Sequence, residues 1–382
     1  MNQRPAAERL RPTMPINADT KNSPVIGGVR LRNDMKKPFA DISADLAGMI
    51  ADTEFPSLAA AAISHGQLVA AGASGVRKRG STAQVTMQDK YHIGSCGKSM
   101  TATLAAILVS EGKIAWQTTL AEAFSDLSIH DDYKAVTLHQ LLSHSAGCPG
   151  EESWEELRLL RGAPESQRRQ LAEDTLRMPA QHPPGTTYQY ANIGYAVAGA
   201  MLESVSGTPY EELLRDKLFA PLSMRSAGFH APATNGRIDQ PYGHNPAPVD
   251  PQPGGDCPVA LVPAGDIHCS ILDFARYVGF HLGSRAGAVL GKDELAFLHR
   301  PASPDGGYAL GWCVLERPWA NGSALTHAGS DGTFYSVMWL APKIDFGVVA
   351  VCNMDAEESL PKCDEACAFL GIRYLKQQEA NQ

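Results

Sequence analysis

Ser95 and Lys98 stand three residues apart at the start of the apolar stretch "SCGKSMTATLAAILVS". A serine hydroxyl at neutral pH is a weak nucleophile and needs a base beside it. Three positions apart on a helix, the two side chains share a face, so the amine can reach the hydroxyl. A free lysine, with a pKa of about 10.4, would be protonated and useless as a base. Burial disfavours the charged form and lowers that value, and a depression of three units costs roughly 4 kcal/mol. Ser95 also gains from the positive end of the helix it opens. The chemistry implied is attack of an activated hydroxyl on an acyl carbon. Two further S-x-x-K pairs, Ser110/Lys113 and Ser359/Lys362, lack this setting. The first falls at the helix end, and the second holds Pro361 and reads as the first turn of a closing helix.

A second candidate is Tyr190-Ala191-Asn192, the one Y-x-N in the chain, between the Pro183-Pro184-Gly185 turn and a helix. A phenol beside an amine can have its pKa lowered and pass protons, and an amide can fix both partners.

The elements that must position these groups follow from periodicity. Residues 40–53 read as a helix, and "SLAAAAISHGQLVAAGASGVRKRG" reads as two strands joined at His65-Gly66. From Ser95 to about residue 300 the signals are mainly helical, broken by loops at 180–187 and 241–265. Strands return in "GYALGWCVLE", "SALTHAGS", "FYSVMWLAP" and "FGVVAVCNM", and a helix over 356–376 closes the chain. Strands at both ends around a helical middle predict an α+β fold, with an antiparallel sheet built from both termini and flanked by helices. The division expected is an N-terminal extension over 1–35, a sheet domain from 36–90 and 305–382, and a mainly helical domain over 91–304 carrying the nucleophile. The seam between the last two is where a small-molecule cleft would form.

Composition bounds the partners. With 44% hydrophobic and 19% charged residues and a net charge of -8, the chain is an ordinary globular protein without a basic run. Nucleic acid and anionic membranes are therefore not expected as partners. No apolar run reaches the roughly 20 residues a membrane helix needs. The N-terminus lacks the apolar core of a signal peptide, so a cytoplasmic location is expected, or a periplasmic one if the chain is a processed form. The eight cysteines are irregularly spaced and read as reduced, partly buried thiols. No metal or cofactor is expected, and the oligomeric state is left open.

Taken with "LLSHSAG" (141–147), "PPGTTYQYANIGY" (183–195), "PAGDIHCSILDFARYV" (263–278), "YALGWCV" (308–314) and "HAGSDG" (327–332), the Ser95–Lys98 stretch resembles the serine β-lactamase and penicillin-binding-protein superfamily. The resemblance is to the branch with class C β-lactamases, D-aminopeptidases and family VIII carboxylesterases, over roughly residues 45–355. It implies that Ser95 is the nucleophile, that Lys98 and Tyr190 share general-base and general-acid work, and that Asn192 orients Lys98 and substrate. The third motif of the family usually reads K-T-G; here His327-Ala328-Gly329 takes its place. His92-Ile93-Gly94 and His281-Leu282-Gly283 share the H-x-G pattern but suit that strand less well. Gly329 would let substrate approach, and the backbone N–H groups of Ser95 and Ser330 would form the oxyanion hole.

A histidine titrating near 6.5 holds a substrate carboxylate less well than lysine, which turns the expectation from β-lactams toward small esters, with amides of D-amino acids as the alternative. A weak β-lactamase and a penicillin-binding protein without turnover are the remaining readings. No G-x-S-x-G elbow occurs, against an α/β-hydrolase. His139 and His144 are wrongly spaced for a metal pair, and "LLSHSAG" reads as a structural turn. Glu151, Glu152, Glu155 and Glu156 read as an exposed acidic helix face, with a lid over the cleft as the alternative.

Overall fold

A computed structural model describes residues 39–252, 257–284, 289–357 and 359–380. The extension expected over 1–35 lies outside the described residues, as do positions 253–256 of the 241–265 loop. In chain order the strands are β1 (Ala40–Asp41), β2 (Ser57–Ser64), β3 (Gln67–Gly75), β4 (Lys90–His92), β5 (Gly228–Phe229), β6 (Gly243–Asn245), β7 (Ala247–Val249), β8 (Ile267–Ser270), β9 (Cys313–Arg317), β10 (Gly322–Ser330), β11 (Tyr335–Ala341) and β12 (Phe346–Cys352). The longer helices are α1 (Ser43–Ile50), α2 (Gly97–Ser110), α3 (Pro164–Leu176), α4 (Asn192–Ser206), α5 (Ile271–His281) and α6 (Ser359–Ala380).

The main sheet has seven strands in the order β1-β3-β2-β12-β11-β10-β9. All neighbours pair antiparallel except β1, which runs parallel to β3. The β2–β3 hairpin turns through His65 and Gly66, at φ 48° and 67°. A two-residue loop with both central residues at positive φ matches the twist of the strands it joins. The pairing of β2 with β12 then splices the N-terminal hairpin onto the C-terminal strands, which is the α+β sheet expected from the two ends of the sequence.

Every residue of β2 is buried, because both faces of the sheet are covered. Leu58, Ala60 and Ala62 pack in one core with Cys363, Ala366, Cys367 and Leu370 of α6. Ala59, Ala61 and Ile63 face the other core, shared with the helical section. Period-two alternation thus divides one apolar strand between two layers. The helix that carries the site, α2, is buried continuously from Gly97 to Leu108. A helix apolar on every side belongs in the middle of a domain. Beside it α3 and α4 are locked by Arg168, a fully buried side chain whose guanidinium donates to both Glu203 and Glu211.

Three details depart from the sequence reading. The helix expected over 40–53 begins as β1 and is helical only over Ser43–Ile50. "GYALGWCVLE" is strand only from Cys313; Tyr308–Trp312 turn instead, with Ala309 N–H donating to Trp312 O. The left-handed Gly311 at φ 82° lies against the Lys98–Ser99 backbone, where a Cβ would collide. The helical section also holds a three-stranded sheet, β4-β8-β5, and the β6–β7 hairpin. Strands of two to four residues are too short to show a period of two.

Candidate active site

Ser95 lies in a single 3-10 turn, Gly94–Cys96, between β4 and α2. Three backbone segments converge on it at glycines. A Cβ on Gly94, whose φ is 49°, would overlap Ser330 N and Gly329 C. One on Gly329 would overlap Ile93 O and lie 2.5 Å from Ser95 N, and one on Gly265, at φ 140°, would overlap Gly94 O. Only glycine permits this approach. As a result the N–H-bearing backbone of Ser95 and that of Ser330, at the end of β10, are pressed together beside the hydroxyl.

Lys98 is fully buried one turn further along α2. Its Nζ lies 3.0 Å from Ser95 Oγ, 2.6 Å from Asn192 Oδ1 and 2.6 Å from Ala264 O. All three accept from the amine, and loss of one proton leaves two N–H groups for Asn192 and Ala264 and a lone pair for the Ser95 hydroxyl. Burial pushes the lysine down to about 7, against a smaller upward pull from Glu152. Tyr190 O–H donates to Ser95 Oγ at 2.7 Å, and Lys98 Nζ stands 4.7 Å from the centre of its ring.

The sequence left room for a lowered Tyr190 pKa; the structure corrects this. Burial drives the phenol well above 10, and the hydrogen bond to Ser95 only moderates the rise. Tyr190 is a proton donor here, not a phenolate. His327 also departs from expectation. It is buried on β10, its Nδ1–H donates to Ala328 O at 2.7 Å, and its Nε2 accepts from Tyr308 O–H at 3.2 Å. Burial, with Lys98 nearby, pushes it down to about 3, so it does not titrate near 6.5 and carries no charge at neutral pH. It stands behind Tyr190, ring centres 6.4 Å apart. Ser330 donates its hydroxyl to Asp355 at 2.6 Å and accepts there from Gly332 N–H at 2.7 Å.

An open-mouthed cavity of about 300 Å³, solvent at the mouth included, is lined by Ser95, Asn192, Ser330, Trp154, His92 and Asp331 among others. Among the described residues this lining contains no lysine or arginine. No described group of three His, Cys, Asp or Glu side chains is arranged to hold a metal. None of the eight cysteines is in a disulfide.

Several residues at the site were not singled out by the sequence. His92 accepts from Gly94 N–H at Nδ1 (3.2 Å) and therefore donates through Nε2 to Asp266 Oδ1 (2.9 Å). His230 donates from Nδ1 to Asp266 Oδ2 at 2.6 Å. Burial alone would raise Asp266, but the hydrogen bonds from His230 and His92 outweigh it and hold the carboxyl at about 2. The bond to Asp266 outweighs burial at His230, which is raised. The pair His92–Asp266 so braces the Gly94 turn. His144, read as part of a structural turn, has φ 57° and accepts from Ala191 N–H at 3.1 Å, and its ring lies 4.4 Å from that of Tyr190. Glu152 is not on a solvated helix face: it is half-buried, accepts from Asn192 Nδ2 at 2.8 Å, and is followed by the cavity-lining Trp154. Glu151, Glu155 and Glu156 are exposed, as expected.

A family model described as Beta-lactamase matches residues 42–368. "Penicillin-binding protein 4" of Amycolatopsis lactamdurans is 28% identical over 295 residues, covering 73% of this chain and 75% of that protein. "Unguisins hydrolase ungD'" of Aspergillus campestris is 28% identical over 304 residues, and the match spans 70% of this chain but only 53% of the relative. Among solved structures, the octameric penicillin-binding protein homologue from Pyrococcus abyssi superposes with a TM-score of 0.72 at 24% identity, over 86% of this chain and 76% of that one. SurE with D-Leu gives a TM-score of 0.67 at 22% identity, over 85% and 72%. The fold and the length of the matched segment together place this chain in the beta-lactamase family, among serine hydrolases and penicillin-binding proteins.

Proposed function

We propose that the protein is a carboxylesterase-like serine hydrolase that works on small, uncharged acyl donors through an acyl-enzyme. The observation that carries the reading is a buried amine, at about 7, lying 3.0 Å from a half-buried serine hydroxyl that also accepts from a neutral phenol. In this scheme the substrate carbonyl oxygen sits between the N–H groups of Ser95 and Ser330. Lys98 takes the Ser95 proton as Oγ attacks the acyl carbon. Tyr190, whose O–H already points at Oγ, passes a proton to the leaving oxygen or nitrogen as the acyl bond breaks, and is resupplied by Lys98. Water then attacks the ester of Ser95 with Lys98 again as base, releasing the acid and restoring the hydroxyl.

The described cavity lining, without lysine or arginine, and the uncharged His327 favour substrates lacking a carboxylate beside the reacting carbonyl. That weighs against efficient β-lactam turnover. An amidase or peptidase acting next to D-amino acids is the second reading, supported by the similarity to an unguisins hydrolase and to SurE, solved with D-Leu. Purified protein is tested against p-nitrophenyl esters, D-amino-acid p-nitroanilides and nitrocefin, and labelled with a fluorophosphonate. One label on wild type, none on Ser95→Ala, and turnover of short esters is the expected result. No label on wild type, or a label retained by the variant, overturns the mechanism; anilide turnover above ester turnover moves the assignment to the second reading.

A further inference from the structure

The residue with the least apparent reason to be where it is is Glu152. Its three acidic neighbours point to solvent, while Glu152 is half-buried at the edge of the cavity. One oxygen, Oε1, accepts from two donors: Asn192 Nδ2 at 2.8 Å and the indole Nε1 of Trp154 at 3.1 Å. The other end of the same Asn192 amide, Oδ1, accepts from Lys98 Nζ at 2.6 Å. An asparagine amide can face either way, and reversal here would aim an N–H at the lysine. A carboxylate only accepts, so Glu152 admits only the Nδ2 end of the amide and leaves Oδ1 to the lysine. The structure thus holds a continuous chain, Trp154 to Glu152 to Asn192 to Lys98 to Ser95.

We propose that Glu152 is a positioning residue of this site: its carboxylate fixes the Asn192 amide so that Oδ1 receives the lysine, and its negative charge favours the ammonium form of Lys98. The proposal rests on the Ser95–Lys98 reading above. The phenols, thiols and imidazoles nearest Lys98 are neutral. The rings of Tyr190 and Tyr195 lie 4.7 and 5.5 Å from Nζ, with both phenols raised by burial. The Cys96 and Cys257 thiols are raised by burial as well, and His144 and His327 are pushed far below neutrality by it. Asp266 is ionised but is held between His92 and His230. Glu152 is therefore the charge that acts on Lys98 through a single amide.

The expected size follows from that amide. Two unit charges about 7 Å apart interact by an amount that shifts a pKa by about 0.4 units at a water-like dielectric and about 1.7 at the effective value of 20 used for protein surfaces. A negative neighbour favours the ammonium, so removing it lowers the pH at which the amine is half deprotonated.

The test is the pH dependence of fluorophosphonate labelling of Ser95 and, where an ester is turned over, of kcat/KM. Glu152→Gln keeps the shape and an acceptor oxygen. Its ascending limb is expected to move to lower pH by between about 0.4 and 1.7 units. Glu152→Asp keeps the charge but shortens the reach, so its limb stays near that of wild type while kcat falls. Glu151→Gln and Glu155→Gln remove equal charges from exposed positions on the same segment and leave the limb in place. A Glu152→Gln limb coincident with wild type, or one matched by the two control variants, overturns the proposal. If wild type itself is not labelled, the mechanism above has failed instead, and the two failures are told apart on one gel.

Discussion

Replacing Lys98 by methionine should make the folded protein more stable in mild acid and hardly more stable in alkali. The side chain is wholly buried and its pKa is brought from 10.5 to about 7, chiefly by loss of water. Between those two values the unfolded chain binds a proton that the folded chain does not, so wild-type stability rises with pH across the window. Below pH 7 both states are protonated and the whole penalty is present, about 5 kcal/mol from a depression of 3.5 units. Integrated over the titration, the penalty at pH 6 exceeds that at pH 9.5 by about 3 kcal/mol. Methionine fills a similar volume and carries no charge. It also leaves Asn192 Oδ1 and Ala264 O without their donor, but that loss is the same at every pH. The difference between the two pH values therefore isolates the buried charge. Urea unfolding of wild type and Lys98→Met at pH 6 and 9.5 measures it. If the stability difference between the two proteins is the same at both pH values within about 1 kcal/mol, Lys98 is not a desolvated amine and has no claim to be a base near neutrality.

Two further outcomes follow from the backbone and from the carboxylate that braces it. Gly94→Ala puts a methyl group into the Ser330 backbone and strains a left-handed residue, so fluorophosphonate labelling should slow by about 10²–10³-fold, the effect of losing one oxyanion donor; labelling within threefold of wild type would detach Ser330 N–H from the reaction. Asp266→Asn breaks a buried pairing with two histidines and should cost about 3–5 kcal/mol. Its pH signature has two arms. The Asp266 contribution is present above its unfolded value of 3.8 and is lost as pH falls through about 2. The His230 contribution is present below 6.5 and is lost as pH rises through its raised folded value. Lys98 gives both proteins the same rise with pH, so between neutral and mildly alkaline pH wild type should gain less stability than Asp266→Asn; an identical slope in the two proteins would remove His230 from the cluster.

What the sequence made legible is what depends on neighbours along the chain. The β2–β3 hairpin was readable because two long apolar runs flank His65-Gly66, and α2 because no polar residue interrupts it after Ser99 except threonine. The small β4-β8-β5 sheet was not, since its strands join positions far apart and have no period of their own. In the site, residue types and spacing named a serine, an amine, a phenol and an amide, which the fold gathers within hydrogen-bonding distance. Their protonation was beyond reach. Tyr190 rises and His327 falls because of what surrounds them, and burial is a property of the assembled cores. Glu152 was grouped with Glu151 and Glu155 for the same reason: local charge pattern says nothing of Asn192, which reaches it from the start of α4.

The splice between β2 and β12 also fixes the order in which the molecule can be completed. Ser64 pairs with Phe346, so the two strands meet across roughly 280 residues of chain, a separation that slows folding and defers the sheet. On a ribosome making the chain from its N-terminus, the β2–β3 hairpin emerges well before its partner and waits, with one edge of a largely apolar strand unpaired, until Phe346–Cys352 has been made. Such an edge is a template for pairing with another chain. A nascent or C-terminally truncated chain is therefore the vulnerable species, and in cells its abundance would be set by whatever shields Ser57–Ser64 during synthesis rather than by the stability of the finished fold.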